Sequence, residues 1–136
     1  MIKLLFADYH QNMRKVISEI IANNAKVLLI GEASSFREVI ALSSERRPNV
    51  VLMDVHMGDE QEIKLSDLKS SLVDCQLLAM SLWADQETKD LAKSLGAVVL
   101  LDKANLATEL LPSLKLCAQM RSAHDHANQQ IQIIPD

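Results

Sequence analysis

Short apolar runs alternate along the chain with amphipathic segments. The runs occupy residues 2–7, 26–30, 50–53, 75–80 and 98–101. The first run, IKLLFA, is too uniformly apolar for a strand with one face in water, which indicates a central strand covered on both faces. The pattern as a whole predicts five short strands, the second of which is closed by Gly31.

The segments that follow the runs have the apolar spacing of helices. In the first of them the spacing is i, i+3, i+4, i+7 and i+8, which forms one stripe along a helix. Ser34 or Ser35 is predicted to cap the second helix, and Arg47 followed by Pro48 ends it. Gly96 is predicted to be the left-handed C-cap of the fourth. The apolar residues of the five segments are Met13, Val16, Ile17, Ile20 and Ile21; Phe36, Val39 and Ile40; Ile63, Leu68 and Leu72; Leu91, Ala92 and Leu95; and Leu106, Leu110, Leu114 and Cys117.

The last helical segment contains a proline, Pro112. Inside a helix, proline removes a hydrogen bond and clashes with the preceding turn. We therefore expect this helix either to start late, near residues 107–109, or to bend. From residue 121 the composition turns polar, so residues 1–120 are predicted to form the domain and residues 121–136 a linker or tail.

Five strand–helix units in sequence predict a single α/β domain. Consecutive parallel strands need a crossover connection, and a helix supplies it. The crossovers should be right-handed, with helices on both faces of the sheet. Five strands of this kind predict the flavodoxin-like strand order 2-1-3-4-5.

Composition narrows the class of protein. A length of 136 residues suits one domain, and a net charge of −4 argues against nucleic-acid binding by this segment. No apolar run approaches the ~20 residues of a membrane span, so we expect a cytoplasmic protein without membrane contact. The two cysteines, Cys75 and Cys117, are not in a CxxC spacing and are predicted to be reduced thiols.

Polar residues stand where four of the apolar runs end. Asp8 follows the first, Asp54 the third and Ser81 the fourth, while Lys103 comes just after the fifth. In the predicted order these strand ends are neighbours, and ligands of such sheets bind outside the carboxyl ends of the strands. Each residue alone is typical of a cap, a turn or a solvated surface. Together they predict one pocket.

The chemistry of this pocket is coherent. A carboxylate such as Asp54 can attack phosphorus and form an acyl phosphate. The phosphoryl oxygens need positive charge and hydrogen-bond donors, which Lys103 and Ser81 supply. Asp8 and Asp54 are the ligand type that Mg²⁺ prefers.

The same residues carry a family resemblance over about residues 2–120. The runs LLFADYH, VVLMDVHM, LLAMS and LLDK resemble those of response regulator receiver domains, the CheY-like superfamily, of the NarL/LuxR kind. The resemblance implies that Asp54 is the phosphoacceptor, Ser81 the switch hydroxyl, Lys103 the phosphate partner and Asp8 an acid near Mg²⁺. It also implies phosphoryl transfer from a sensor histidine kinase in a two-component phosphorelay, with a role in transcription regulation.

Three positions depart from the family pattern. Tyr9 replaces the second acid after the first strand, and a phenol, uncharged near neutral pH, is a poor ligand for a hard cation, so Mg²⁺ binding should be weakened. Gly58 replaces a proline and should loosen its loop. Leu100 replaces the aromatic residue that usually moves with the switch hydroxyl.

His56 and Trp83 are predicted to rim the pocket beside Tyr9. Asp59 or Glu60 is a weaker candidate for the metal.

Several hypotheses about the function of this chain remain open. The alternative to a phosphorylated receiver is a pseudo-receiver that binds proteins or dimerises without phosphoryl chemistry. A true enzyme is disfavoured, because His56 stands where a dehalogenase-like phosphatase needs a second acid and no glycine-rich loop follows the first strand. At most the chain catalyses its own phosphorylation and dephosphorylation. Homodimerisation is an expectation from the resemblance. DNA is expected to be bound only through an output domain outside these 136 residues.

Overall fold

The computed structural model describes the backbone of residues 1–133 and the side chains of residues 1–120. Its five strands form one parallel sheet in the order β2-β1-β3-β4-β5, as predicted. The strands are β1 (Ile2–Ala7), β2 (Val27–Ala33), β3 (Val50–Asp54), β4 (Gln76–Ser81) and β5 (Ala97–Asp102). The helices are α1 (Gln11–Ile21), α2 (Phe36–Arg46), α3 (Leu65–Ser71), α4 (Gln86–Ser94) and α5 (Leu106–Ile133), with a 3-10 turn at Lys103–Asn105.

The core lies in two layers, one on each face of the sheet. One layer packs α2, α3 and α4 against the sheet through residues that include Val39, Leu68 and Ala92. The other packs α1 and α5 through residues that include Ile17 and Leu110. Every residue of β3 is buried, as expected for a central strand covered on both sides. Within the described residues, no helix is long and apolar enough to cross a membrane.

The two cysteines lie in opposite layers of this core. Cys75 packs against the layer of α2, α3 and α4, and Cys117 lies in the layer of α1 and α5, so both are free thiols. Burial, with the nearby charge of Asp74, raises the pKa of Cys75 to about 12. Burial alone raises the pKa of Cys117 to about 11. Neither thiol is a nucleophile at neutral pH, because the thiolate is the reactive form.

Strand β2 does not end at Gly31, which corrects the sequence prediction. It continues to Ala33, and its pairing with β1 is irregular between Leu4 and Leu5. The guanidinium of Arg46 donates to the carbonyl of Ile30 at 2.6 Å, and a Cβ on Gly31 would lie 2.7 Å from that guanidinium. Gly31 therefore leaves room for the Arg46 guanidinium, which a larger residue would displace, and does not mark a turn.

Most helix boundaries follow the predicted caps. Ser35 accepts the backbone N–H of Glu38 at the start of α2, and Arg47 ends that helix in a left-handed conformation. Gly96 follows α4 with a φ of +82°, as predicted. The third helix is shorter than its apolar pattern, because Ile63 lies before its first residue, Leu65.

Helix α5 begins earlier than the late start that was one of its two expected outcomes. It begins at Leu106, one residue before the predicted window, so Pro112 lies inside the helix. Pro112 has no N–H to donate to the carbonyl of Thr108, four residues earlier. Both residues are exposed, so that carbonyl can bond to water. The helical backbone continues to Ile133. The domain boundary at residue 120 stays a prediction, and residues 134–136 lie outside the described part.

Candidate functional site

Two buried carboxyl groups stand side by side at the carboxyl edge of the sheet. Asp8 directly follows β1, and Asp54 is the last residue of β3. These strands are neighbours, and the pairing of Ala7 with Met53 places the next residue of each strand at the same level. Asp8 is fully buried and Asp54 is 6 % exposed. Burial of two carboxyl groups is costly unless a positive group compensates them.

Lys103 is that positive group. Its ammonium nitrogen lies 2.7 Å from Oδ2 of Asp8 and 2.7 Å from Oδ2 of Asp54. Strand β4 separates β5 from β3, so the lysine side chain spans the width of one strand to reach the pair. Burial by itself would lower the pKa of Lys103, but its hydrogen bonds and ion pairs with Asp54 and Asp8 outweigh burial and raise that pKa above its ordinary value. The ammonium is therefore charged at neutral pH.

The second oxygen of each carboxylate is fixed by the local chain. Oδ1 of Asp8 accepts the backbone N–H of His10 at 2.8 Å, and Oδ1 of Asp54 accepts that of His56 at 2.7 Å. Such turns, in which a short polar side chain accepts the N–H two residues later, hold the side chain at a strand end. Oδ2 of Asp8 is buried, and the Lys103 ammonium at 2.7 Å is the group that compensates its charge.

Ser81 ends β4 next to this group. It follows Met80, which pairs with Asp54 across the two strands, and it is 3 % exposed. Its hydroxyl oxygen accepts the backbone N–H of Trp83 at 3.0 Å. The four predicted pocket residues thus lie at the same edge of the sheet, and three of them, Asp8, Asp54 and Lys103, are in direct contact.

The positions that depart from the family pattern have clear structural consequences. Tyr9 is 64 % exposed, and its ring packs edge-on against His10, so the phenol lies outside the buried group. Gly58 has a φ of +99° and donates its N–H to Glu60, and proline allows neither feature. Leu100 is half-buried and packs in the layer of α2, α3 and α4.

The predicted rim residues His56 and Trp83 contact each other. Both are exposed, and their rings meet edge to face with centroids 5.4 Å apart. Nε2 of His56 also lies 3.4 Å from the hydroxyl of Thr88, in the first turn of α4. The loop after β3, which carries His56, and the loop after β4, which carries Trp83, are therefore in side-chain contact at the carboxyl edge of the sheet.

Neither of the weaker metal candidates joins the carboxylate pair. Asp59 accepts the backbone N–H groups of Phe36 and Arg37 and so caps α2 from another loop. Glu60 accepts the N–H groups of Met57 and Gly58. The sequence did not reveal the cap, because Asp59 is 23 positions from Phe36 and only the fold brings them together.

The resemblance to receiver domains implies a Mg²⁺ ion at an acidic site. Among the described residues, no group of three or more histidine, cysteine or acidic side chains is placed to hold a metal ion. Asp8 and Asp54 are nevertheless hard oxygen ligands that lie at the same edge of the sheet and share the Lys103 ammonium. The site thus fits Mg²⁺ as a two-carboxylate site without the third acid.

Comparisons with known proteins identify the family of this chain. The family model described as "Response regulator receiver domain" matches residues 4–115. The response regulator protein VraR of Staphylococcus aureus strain NCTC 8325 is 30 % identical over 99 residues, which are 72 % of this chain and 46 % of VraR. The chain therefore spans about half the length of the curated relatives that it matches.

Solved structures show the same fold. The receiver domain of the putative response regulator NarL from Mycobacterium tuberculosis superposes with a TM-score of 0.75 at 20 % identity, covering 87 % of this chain and 96 % of that one. The response regulator domain of Thermotoga maritima CheB gives 0.72 at 20 % identity, covering 86 % and 96 %. Because the family model covers residues 4–115, most of the sequence, this chain belongs to the response regulator receiver domains of two-component systems.

Proposed function

We propose that this receiver domain accepts a phosphoryl group on Asp54 and signals through the change that follows. The observation that carries the proposal is the ammonium of Lys103, held 2.7 Å from the carboxylates of Asp8 and Asp54. A buried lysine between two acids neutralises charge at the point where a phosphoryl group would add more. The phosphodonor that we propose is a sensor histidine kinase, with transfer in the cytoplasm.

Asp54 rather than Asp8 is the proposed nucleophile. Asp54 retains 6 % exposure, whereas Asp8 has none, and a phosphoryl donor must reach the attacking oxygen from solvent. In the transfer, an Asp54 oxygen forms a bond to phosphorus while the bond from phosphorus to the donor's imidazole nitrogen breaks. The imidazole keeps the electron pair and takes up a proton. Lys103 and the Ser81 hydroxyl face the new phosphoryl oxygens.

Mg²⁺ is part of the proposal as a weakly held cofactor. Asp8 and Asp54 would hold it, and when bound it would neutralise charge on the phosphoryl oxygens. The exposed phenol of Tyr9 supplies no carboxylate. Affinity for Mg²⁺ should therefore be lower than in a site with a full acidic pair, because ligand charge largely sets the affinity for such cations.

Phosphorylation of purified protein by acetyl phosphate, with and without Mg²⁺, tests the proposal by intact mass. Wild type should gain one phosphoryl group, and Asp54→Asn should gain none. The matched control is Asp90→Asn, which removes an exposed carboxylate on α4 that bonds only to Gln86 nearby. A chain that gains no phosphoryl group at any Mg²⁺ concentration would instead be a pseudo-receiver, a module that acts by protein binding alone.

The wider partners belong to the same proposal. The matched 99 residues are 46 % of VraR, so that relative contains much further sequence, which supports a role for this domain within a longer, DNA-binding regulator. We infer that DNA contact belongs to such an output domain and that phosphorylation controls pairing of two receiver domains. Sedimentation of the protein with and without phosphorylation tests the pairing, and an unchanged sedimentation coefficient would contradict it.

A further inference from the structure

The aromatic pair of His56 and Trp83 connects two strand ends to the start of a helix. The backbone of His56 is bonded to Asp54, and the backbone of Trp83 is bonded to Ser81. The two rings contact each other edge to face, with centroids 5.4 Å apart and planes at 70°. The proposed phosphoacceptor and the proposed switch hydroxyl are thus linked through one side-chain contact.

The pair also reaches α4. Thr88 is 2 % exposed, and its hydroxyl donates to the carboxylate of Asp85, the residue that precedes α4. Since that hydrogen points to Asp85, the Thr88 oxygen is left to accept from Nε2 of His56 at 3.4 Å. The first turn of α4 is therefore tied to the loop that carries the His56 ring.

The side chain at position 100 cannot connect the Ser81 hydroxyl to α4. Leu100, which stands where the family has a moving aromatic residue, is half-buried among aliphatic side chains of the layer that packs α2, α3 and α4. It has no ring and no polar atom with which to follow the Ser81 hydroxyl. His56 and Trp83 have both rings and backbone bonds to the relevant side chains.

We propose that His56 and Trp83 are the positioning residues that transmit the state of Asp54 to the first turn of α4, in place of an aromatic residue at position 100. This inference rests on the proposed phosphorylation for its biological use, but the link itself exists without a phosphoryl group. A phosphoryl group on Asp54 changes the acceptor that binds the N–H of His56 and draws on the Ser81 hydroxyl that binds the N–H of Trp83. Both anchors of the pair shift, and Thr88 carries the shift to α4.

A second strand end supplies a matched control. His10 follows Asp8 as His56 follows Asp54, with the same backbone bond to the carboxylate at 2.8 Å. The His10 ring packs on its own neighbour, Tyr9, with centroids 5.4 Å apart, and makes no side-chain cap for α1. His10→Ala therefore removes an equivalent ring that does not join two loops.

The first arm of the test uses unphosphorylated protein. Asp54→Asn is expected to change amide hydrogen exchange in the first turn of α4 by at least about threefold. The same substitution made in a His56→Ala background should lose most of that change, whereas it should persist in a His10→Ala background. His56→Phe, which keeps a ring against Trp83 but loses Nε2, should retain part of it. An equal response to Asp54→Asn in wild-type and His56→Ala backgrounds would overturn the proposal.

The second arm repeats the measurement on protein treated with acetyl phosphate and Mg²⁺, with the phosphorylated fraction determined by mass in each sample. Phosphorylated wild type should show altered α4 exchange that His56→Ala and Trp83→Ala both suppress. Phosphorylation with an undiminished α4 response in those variants overturns the link and leaves the proposed function intact. If no phosphoryl group is taken up while the first arm succeeds, the proposed function fails and the link stands.

Discussion

The ends of β1 and β3 carry the same short motif and use it differently. Asp8-Tyr9-His10 and Asp54-Val55-His56 both place an aspartate at the strand end with a histidine two residues later. In both, one carboxylate oxygen accepts the histidine N–H and the other lies 2.7 Å from the Lys103 ammonium. The local backbone therefore holds the two aspartate side chains with equivalent hydrogen bonds.

The difference lies in what surrounds each motif. Tyr9 is 64 % exposed, whereas Val55 is fully buried and its N–H bonds to the carbonyl of Met80 at 3.2 Å. Asp8 has no exposed surface, and Asp54 keeps a small opening. The β1 motif thus has a fully buried acid with an exposed neighbour, and the β3 motif has a buried acid with a small exposed fraction and a fully buried neighbour. The same arrangement of aspartate and histidine thus gives a supporting carboxylate at the end of β1 and a proposed nucleophile at the end of β3.

The largest contrast is expected from removing each carboxylate charge in turn. Asp54→Asn should abolish phosphorylation, because the attacking oxygen is lost. Asp8→Asn should only slow it, because the nucleophile remains while part of the cation binding is lost. Rates of mass gain with acetyl phosphate measure both variants. Persistent phosphorylation of Asp54→Asn at a comparable rate would reverse the assignment.

Removal of the shared lysine should destabilise both motifs together. Lys103→Met leaves two buried carboxyl groups without their positive partner, at a cost of about 3–5 kcal/mol in the free energy of unfolding. Urea denaturation followed by circular dichroism measures this cost. Asp8→Asn added to Lys103→Met should recover part of the loss. Wild-type stability in Lys103→Met would show that the carboxyl pair does not depend on the ammonium.

The middle residues of the motifs should differ in their contribution to stability. Val55→Ala removes two buried methyl groups and should cost about 2 kcal/mol. Tyr9→Ala, at an exposed position, should change stability by less than about 0.5 kcal/mol. The two urea midpoints, measured under identical conditions, provide the comparison. Similar losses in both variants would contradict the difference in burial.

Restoring an acid at the β1 motif should strengthen cation binding. Tyr9→Asp adds a carboxylate next to Asp8 and should lower the Kd for Mg²⁺ by roughly tenfold. The control is Tyr9→Asn, which has the same shape without the charge. Quenching of Trp83, the one tryptophan of the chain, follows the titration. Equal Kd values for Asp and Asn at position 9 would show that the charge is out of reach of the ion.

The smallest effect is expected from alkaline pH. The Lys103 pKa is raised above 10.5, so the stability from its ion pairs is fully present below that pH and is lost as the pH rises through the folded-state pKa. The stability difference between wild type and Lys103→Met should therefore stay constant from neutral pH to about 10 and shrink at higher pH. Urea midpoints across this range measure it, and a difference that shrinks below pH 10 would contradict the raised pKa.

The sequence by itself predicted the architecture, and it proposed the residues of the candidate site. Uniform apolar runs indicated strands covered on both faces, and the amphipathic segments between them indicated helical crossovers, so general rules of sheet topology predicted the strand order. Asp8, Asp54, Ser81 and Lys103 could be found because polar residues that end buried strands must meet at one edge. The signal was local in each case.

Only the tertiary structure decided the contacts that join distant parts of the chain. Lys103 could have bonded to either acid, and its position between both depends on the spacing of three strands. The cap that Asp59 provides for α2, the approach of Arg46 to Gly31 and the contact of His56 with Trp83 all join segments that are far apart in sequence. Periodicity describes which face a residue occupies, but a specific partner is fixed only when packing sets the distance between elements.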